Sequence, residues 1–263
     1  MTQRQEQLVS AWTDVHGRKV HTRVATRIDL PGRPSVVLVH GLVVSSLYLV
    51  PTGELLAPHF NVYIPDLPGF GKSEKPPNVY TVEQLADWLI VWMDAIGLER
   101  PAFLANSMGC QVIVEAAVRH PARVRNIVLS GPVVDSRARK PLVQMVRALR
   151  VYFYEKPSLI RIHAIDYARL GLRGFVRCMQ SMLEYRIEEK LPFLNDPVLV
   201  VRGEHDFIVP QRWAEEVAAL LPQGHLIVLK GAAHTTNYST PRKLVRACRA
   251  FLLYADDHDT RLR

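Results

Sequence analysis

Phe103-Leu104-Ala105-Asn106-Ser107-Met108-Gly109-Cys110 is the stretch that decides the fold of this chain. An apolar run of strand character ends at Ala105, and from Met108 to Arg119 apolar residues recur with helical spacing. A strand that becomes a helix within two residues brings the two backbones very close, so the turn needs small side chains. Gly109 meets that need, and Ala105 stands where a first glycine is usual. The same turn lifts the Ser107 hydroxyl out of the sheet and makes it a candidate nucleophile. A serine that merely caps the helix is the plainer alternative.

Outward from this turn the alternation repeats. Val36–Val39, Val62–Ile64, Ile127–Leu129, Val198–Val201 and Leu226–Leu229 are short apolar runs. Thr81–Ile96, Gln211–Leu220 and Pro241–Tyr254 are helical patterns between or after them. Strands alternating with helices predict an α/β fold, a mostly parallel central sheet with helices on both faces. Trp12–Val15 and Val20–Thr26 flank His16-Gly17 and predict an N-terminal hairpin.

Residues 133–190 break the rhythm. They contain no strand pattern, while Val143–Tyr154, Ser158–Leu170 and Phe175–Glu184 have helical spacing. The expectation is a single structural domain: residues 1–132 and 191–263 form the core, and residues 133–190 a helical lid inserted in it. A bundle of ordinary packing helices has the same periodicity. The segment is aromatic and basic together, and residues 131–190 hold twelve Lys/Arg against six Asp/Glu.

Composition narrows the classes. The chain has 263 residues, 48% hydrophobic and 22% charged, which excludes disorder and low complexity. The formal net charge of +8 invites a nucleic-acid reading, but the excess is local and no nucleic-acid motif accompanies it. Cys110, Cys178 and Cys248 are odd in number and far apart, against a disulfide framework or structural zinc. Met1 to Leu8 is polar, without the apolar core of a signal peptide, and Val36–Val50 is too short and interrupted to span a membrane. A cytoplasmic protein without nucleic acid and without stable membrane insertion, monomer or homodimer, is the expectation.

Ligands in open parallel sheets bind beyond the carboxyl ends of the strands. Past Val198–Val201 stands Arg202-Gly203-Glu204-His205-Asp206, and past Leu226–Leu229 stands Lys230-Gly231-Ala232-Ala233-His234. Serine, then acid, then histidine, each after a later strand, is the order that this kind of turn requires. Asp135, past Ile127–Leu129, is the competing acid. Glu204 reads as a solvated or salt-bridging turn residue, His40 as a support for the loop after it, and His205 and His225 as surface or packing histidines. Cys110, on the helix after Ser107, reads as core.

With these residues in place the chain resembles the α/β-hydrolase superfamily over nearly its whole length. Val36–Gly41 is similar to its strand and His-Gly turn, and Asp66-Leu67-Pro68-Gly69-Phe70-Gly71-Lys72-Ser73 to its Asp-x-x-Gly-x-Gly-x-Ser loop. The resemblance implies Ser107 as nucleophile, His234 as base and Asp206 as orienting acid, with an oxyanion hole from the backbone N–H groups of Leu42 and Met108. The implied chemistry is acyl transfer, in which no metal or organic cofactor is needed.

Serine at the turn disfavours the relatives that use aspartate there. Asn106-Ser107-Met108-Gly109 is similar to hydrolases that cleave carbon–carbon bonds. Those usually carry a Gly-rich loop after His-Gly and often a Trp after the histidine, where this chain has Leu42-Val43-Val44-Ser45-Ser46 and Thr235-Thr236-Asn237. Hydrolysis of a small-molecule carboxylic ester with a small to medium apolar group is therefore the expectation, with Val43, Asn106, Tyr152 and Phe153 as candidate substrate contacts. Carbon–carbon bond hydrolysis, cofactor-free perhydrolysis and a ligand-binding receptor on this fold remain the alternatives.

Overall fold

The computed structural model describes residues 7–26 and 32–253. Leu8–Val15 (β1) and Arg18–Ala25 (β2) form the predicted hairpin, turning at His16 and Gly17, which both have positive φ. Ser35–Val39 (β3), Asn61–Pro65 (β4), Ala102–Asn106 (β5), Arg125–Ser130 (β6), Val198–Gly203 (β7) and Gly224–Leu229 (β8) complete one sheet. Its order is β1-β2-β4-β3-β5-β6-β7-β8, parallel from β4 to β8 and antiparallel at the hairpin edge.

The central strands are short and largely apolar because both of their faces are covered. Successive residues of β3 serve opposite cores: Val37 and Val39 join one apolar cluster, Val36 and Leu38 the other. Val82–Ala95 (α2), Met108–Arg119 (α3) and Gln211–Leu220 (α6) supply buried residues to the first. Val50–Leu56 (α1) and Pro241–Leu253 (α8) supply them to the second. Tyr254, the last residue of the predicted final helix, lies outside the described residues. Helix α2 starts where its sequence says: Thr81 accepts from the Gln84 N–H and Gln84 accepts from the Thr81 N–H, a capping box.

Between β6 and β7 the chain builds Pro141–Tyr152 (α4) and Ser158–Glu184 (α5). Helix α5 merges two predicted helices, and Gly171, at φ 74° and ψ 163°, is the break between them. A short helix, Thr236–Ser239 (α7), has no periodic signal because it spans barely one turn. Among the described residues no helix is long and apolar enough to cross a membrane.

Candidate active site

Ser107 sits between β5 and α3 at φ 58° and ψ −125°. A non-glycine residue in that region is strained, and such strain persists only where surrounding packing over-determines it. Here the packing is visible. A Cβ on Gly109 would come within 2.6 Å of the Val39 carbonyl oxygen and 2.7 Å of that of His40, so only glycine lets α3 start against β3. The Cys110 N–H bonds the Ser107 carbonyl at 3.0 Å. As the first residue of α3, Met108 has a backbone N–H that no carbonyl of its own helix can take.

His234 Nδ1 lies 2.8 Å from Asp206 Oδ2, with both side chains buried. The other Asp206 oxygen accepts the N–H groups of Ile208 and Val209, both at 3.0 Å. Arg202 clamps the same turn through the carbonyls of Val209 and Asp206. Burial pulls the imidazole pKa down, but the charge and hydrogen bond of Asp206, with help from Glu155, outweigh it and hold His234 above the usual histidine range. Gly131, at φ 61°, leaves room for the ring: a Cβ there would meet His234 Cε1 and Nδ1 at 3.0 Å.

Asp135, the competing acid, is committed elsewhere. Arg147 and Arg212 hold its two oxygens, and these arginine contacts outweigh burial and keep its carboxyl below the usual range. Glu204 accepts the Gly231 N–H, His205 stacks on Tyr154 and His225 is exposed on β8. Burial pushes the Cys110 thiol well up, as befits a core residue. His40 is fully buried; it accepts the Leu67 N–H at 3.0 Å, so its Nδ1 donates to the Gly41 carbonyl at 2.8 Å.

Ser107 and His234 open onto one cavity of about 530 Å³, with Leu42, Val43 and Asn106 in its lining and α4 and α5 over it. Val43 has φ 62°, another strained position at the cavity wall. Asn106 lines the cavity but spends its amide on the framework. Its Nδ2 donates to the carbonyls of Ser130 and His234, and its Oδ1 accepts from the Tyr48 hydroxyl, which itself takes the Gly41 N–H. One side chain thus ties the Ser107 turn, the His234 loop and the Gly41 loop together.

Tyr152 lines the cavity and its hydroxyl meets His163 Nδ1 at 2.6 Å. Burial pushes His163 down to about 4, so this ring is neutral at physiological pH. Phe153 needs correction as a substrate contact: it is 87% exposed and absent from the cavity wall. The reason is helical phase, since residues one step apart point about 100° apart, and Tyr152 takes the inward direction.

Two buried carboxylates on the insert were not singled out from sequence. Glu155 accepts the Thr235 N–H at 2.7 Å and the hydroxyls of Thr235 and Ser239. Asp166 accepts the Ser45 hydroxyl at 2.7 Å. One therefore lands beside His234 and the other on the loop after Gly41, itself fastened by the Ser46 N–H to Asp66. A signal existed: Glu155 and Asp166 are the only acids from residue 136 to 183.

Comparison with known proteins gives the family. Residues 34–161 match the family described as "alpha/beta hydrolase fold", and residues 179–260 match "TAP-like protein". The chain belongs to the α/β-hydrolase superfamily. It is 27% identical over 260 residues to a putative carbamate hydrolase, RutD, of Agrobacterium fabrum (strain C58 / ATCC 33970), covering 90% of this chain and 99% of that one. It is 26% identical over 218 residues to a 2-hydroxymuconate semialdehyde hydrolase of Pseudomonas putida, covering 74% and 78%. The enol-lactonase from Burkholderia xenovorans LB400 superposes with a TM-score of 0.78 at 23% identity, over 92% of this chain and 100% of that one.

Proposed function

We propose that this chain is a serine hydrolase cleaving carboxylic esters of small to medium apolar substrates through an acyl-enzyme. In this reading Ser107 attacks the ester carbonyl while His234 takes its proton, and Asp206 stabilises the imidazolium. The N–H groups of Met108 and Leu42 receive the oxyanion, each donor worth about 10²–10³ in rate. Collapse expels the alcohol with the proton from His234. Water, deprotonated by the same His234, then releases the acid and restores Ser107.

The observation that carries the reading is the strained Ser107 and the Asp206-paired His234 facing one mainly apolar cavity. Among the described residues the cavity lining contains no Lys or Arg. That favours a neutral ester over an anionic substrate, whose charge would lose its water without a cation to replace it. The Pseudomonas putida relative favours a second reading, carbon–carbon cleavage, but a muconate-type substrate carries a carboxylate that this wall leaves unpaired.

A p-nitrophenyl ester series tests the proposal. Ser107→Ala is expected to abolish sustained turnover, and a serine-directed phosphonate is expected to label Ser107 alone. Loss of a triad serine costs on the order of 10⁶ in a precedent enzyme, so more than about a tenth of parent turnover in the variant overturns the reading.

A further inference from the structure

Helix α4 presents its apolar stripe to water. Leu142, Met145, Val146, Leu149 and Phe153 recur at helical spacing and are 50–87% exposed, while only Gln144 and Val151 of α4 are buried. A surface helix ordinarily turns such a stripe to the core. On α5, Leu172 and Val176 are likewise exposed. The patch is continuous with the cavity mouth, because Met145, Tyr152, Ile160 and Tyr167 both line the cavity and lie 38–58% exposed.

The charge around this patch is predominantly positive. Residues 136–183 hold ten Lys/Arg and two Asp/Glu, as large an excess as the whole chain's +8. The two acids, Glu155 and Asp166, are buried and bonded inward, so Glu184, at the end of α5 beside Arg173 and Arg177, is the one exposed carboxylate on the two helices among the described residues. Arg161, Arg169, Arg173 and Arg177 are exposed along α5, Arg169 reaching Asp166 at 3.8 Å. Some other arginines of the insert are spent at home: Arg147 pairs with Asp135, and Arg139 with Glu188.

We propose that the outer face of α4 and α5 docks on an anionic lipid surface, with the cavity mouth turned to the lipid. An apolar stripe bordered by arginines is the composition that lies in a headgroup interface: the apolar groups enter the acyl boundary and the guanidinium groups meet anionic headgroups. No span of the bilayer is involved. Apolar ligands dissolved in the lipid reach the cavity without crossing water. An acidic protein or polymer would satisfy the arginines but leave Leu142, Leu149 and Phe153 hydrated, and a second copy of the chain would set arginine against arginine.

The inference goes beyond the ester reading and is tested apart from it, using Ser107→Ala protein so that turnover plays no part. Flotation with phosphatidylcholine vesicles, with and without phosphatidylglycerol, measures binding. The expected result is binding about tenfold or more tighter to the anionic vesicles, weakening with salt. Leu149→Glu with Phe153→Glu, both on exposed positions, is expected to abolish it, and Arg173→Ser with Arg177→Ser to weaken it about tenfold or more. Equal or absent binding to the two vesicle types overturns the proposal. So does vesicle binding indifferent to the Leu149 and Phe153 changes, or retention on an anionic polymer with none on vesicles. A dimer that the same glutamates dissolve, without vesicle binding, reassigns the stripe to self-association.

Discussion

Around Ser107 the backbone sets the geometry, whereas across residues 133–190 side chains set it. The Ser107 turn is pinned by close backbone approach at Gly109, and the His234 ring is seated against Gly131, at the ends of strands that run in register from Phe103 and Ile127 onward. The insert joins that framework through side chains: Leu170, Cys178, Met182 and Leu183 pack into the first core cluster and Leu159 and Ile162 into the second, while Glu155 bonds Thr235 and Ser239 and Asp166 bonds Ser45. Its helices leave Leu142, Leu149 and Phe153 to solvent, while the core strands bury almost every side chain. A frame held by ladder hydrogen bonds can carry strained, pre-aligned groups. A cover held by side chains can change its lining without disturbing them.

The largest effect that sharpens this contrast is at the acid. Asp206→Asn is expected to lower kcat by about 10⁴, since asparagine stabilises the wrong imidazole tautomer. Asp135→Asn removes a partner from Arg147 and Arg212 and is expected to lower thermal stability with kcat within about tenfold of the parent, because Asp135 pairs with arginines and not with His234. Equal kcat losses in steady-state assays break the assignment.

The pH profile belongs to the same frame. His234 must be neutral to accept a proton, and its pKa is held above the ordinary 6.5, so kcat/KM is expected to be full at alkaline pH and to fall as pH drops through a midpoint above 6.5. A midpoint below 6.5 contradicts the Asp206 pairing.

Glu155 lies on the boundary between the two regions. Glu155→Gln keeps the shape but removes a charge that raises the His234 pKa and accepts three hydrogen bonds. It is expected to cost about tenfold in kcat/KM, from about 1.5 kcal/mol for hydrogen bonds to a charged group, and to move the acid limb to lower pH. An unchanged pH profile with reduced stability makes the contact merely structural.

The smallest effect is expected from the wall. Tyr152→Ala enlarges the cavity and frees His163, so KM and the preferred acyl length should change by about a few-fold while phosphonate labelling of Ser107 persists. A parent-like chain-length profile places selectivity outside the insert.

Sequence alone determined the strand–helix alternation, the turn at Ser107 and the strand-end positions of Asp206 and His234. These are local facts: β-branched runs specify strands, and small residues permit the tight turn. The helices of the insert were legible too, even to the break near Gly171. Which way those helices face was not. Tertiary structure decided that Tyr152 points inward and Phe153 outward, that α4 shows its apolar stripe to water, and that Asn106 braces three loops. It also decided that Glu155 meets Thr235 across 80 positions and Asp166 meets Ser45 across 121. Such contacts depend on the path of the whole insert over the sheet, which periodicity, a property of one helix at a time, does not encode.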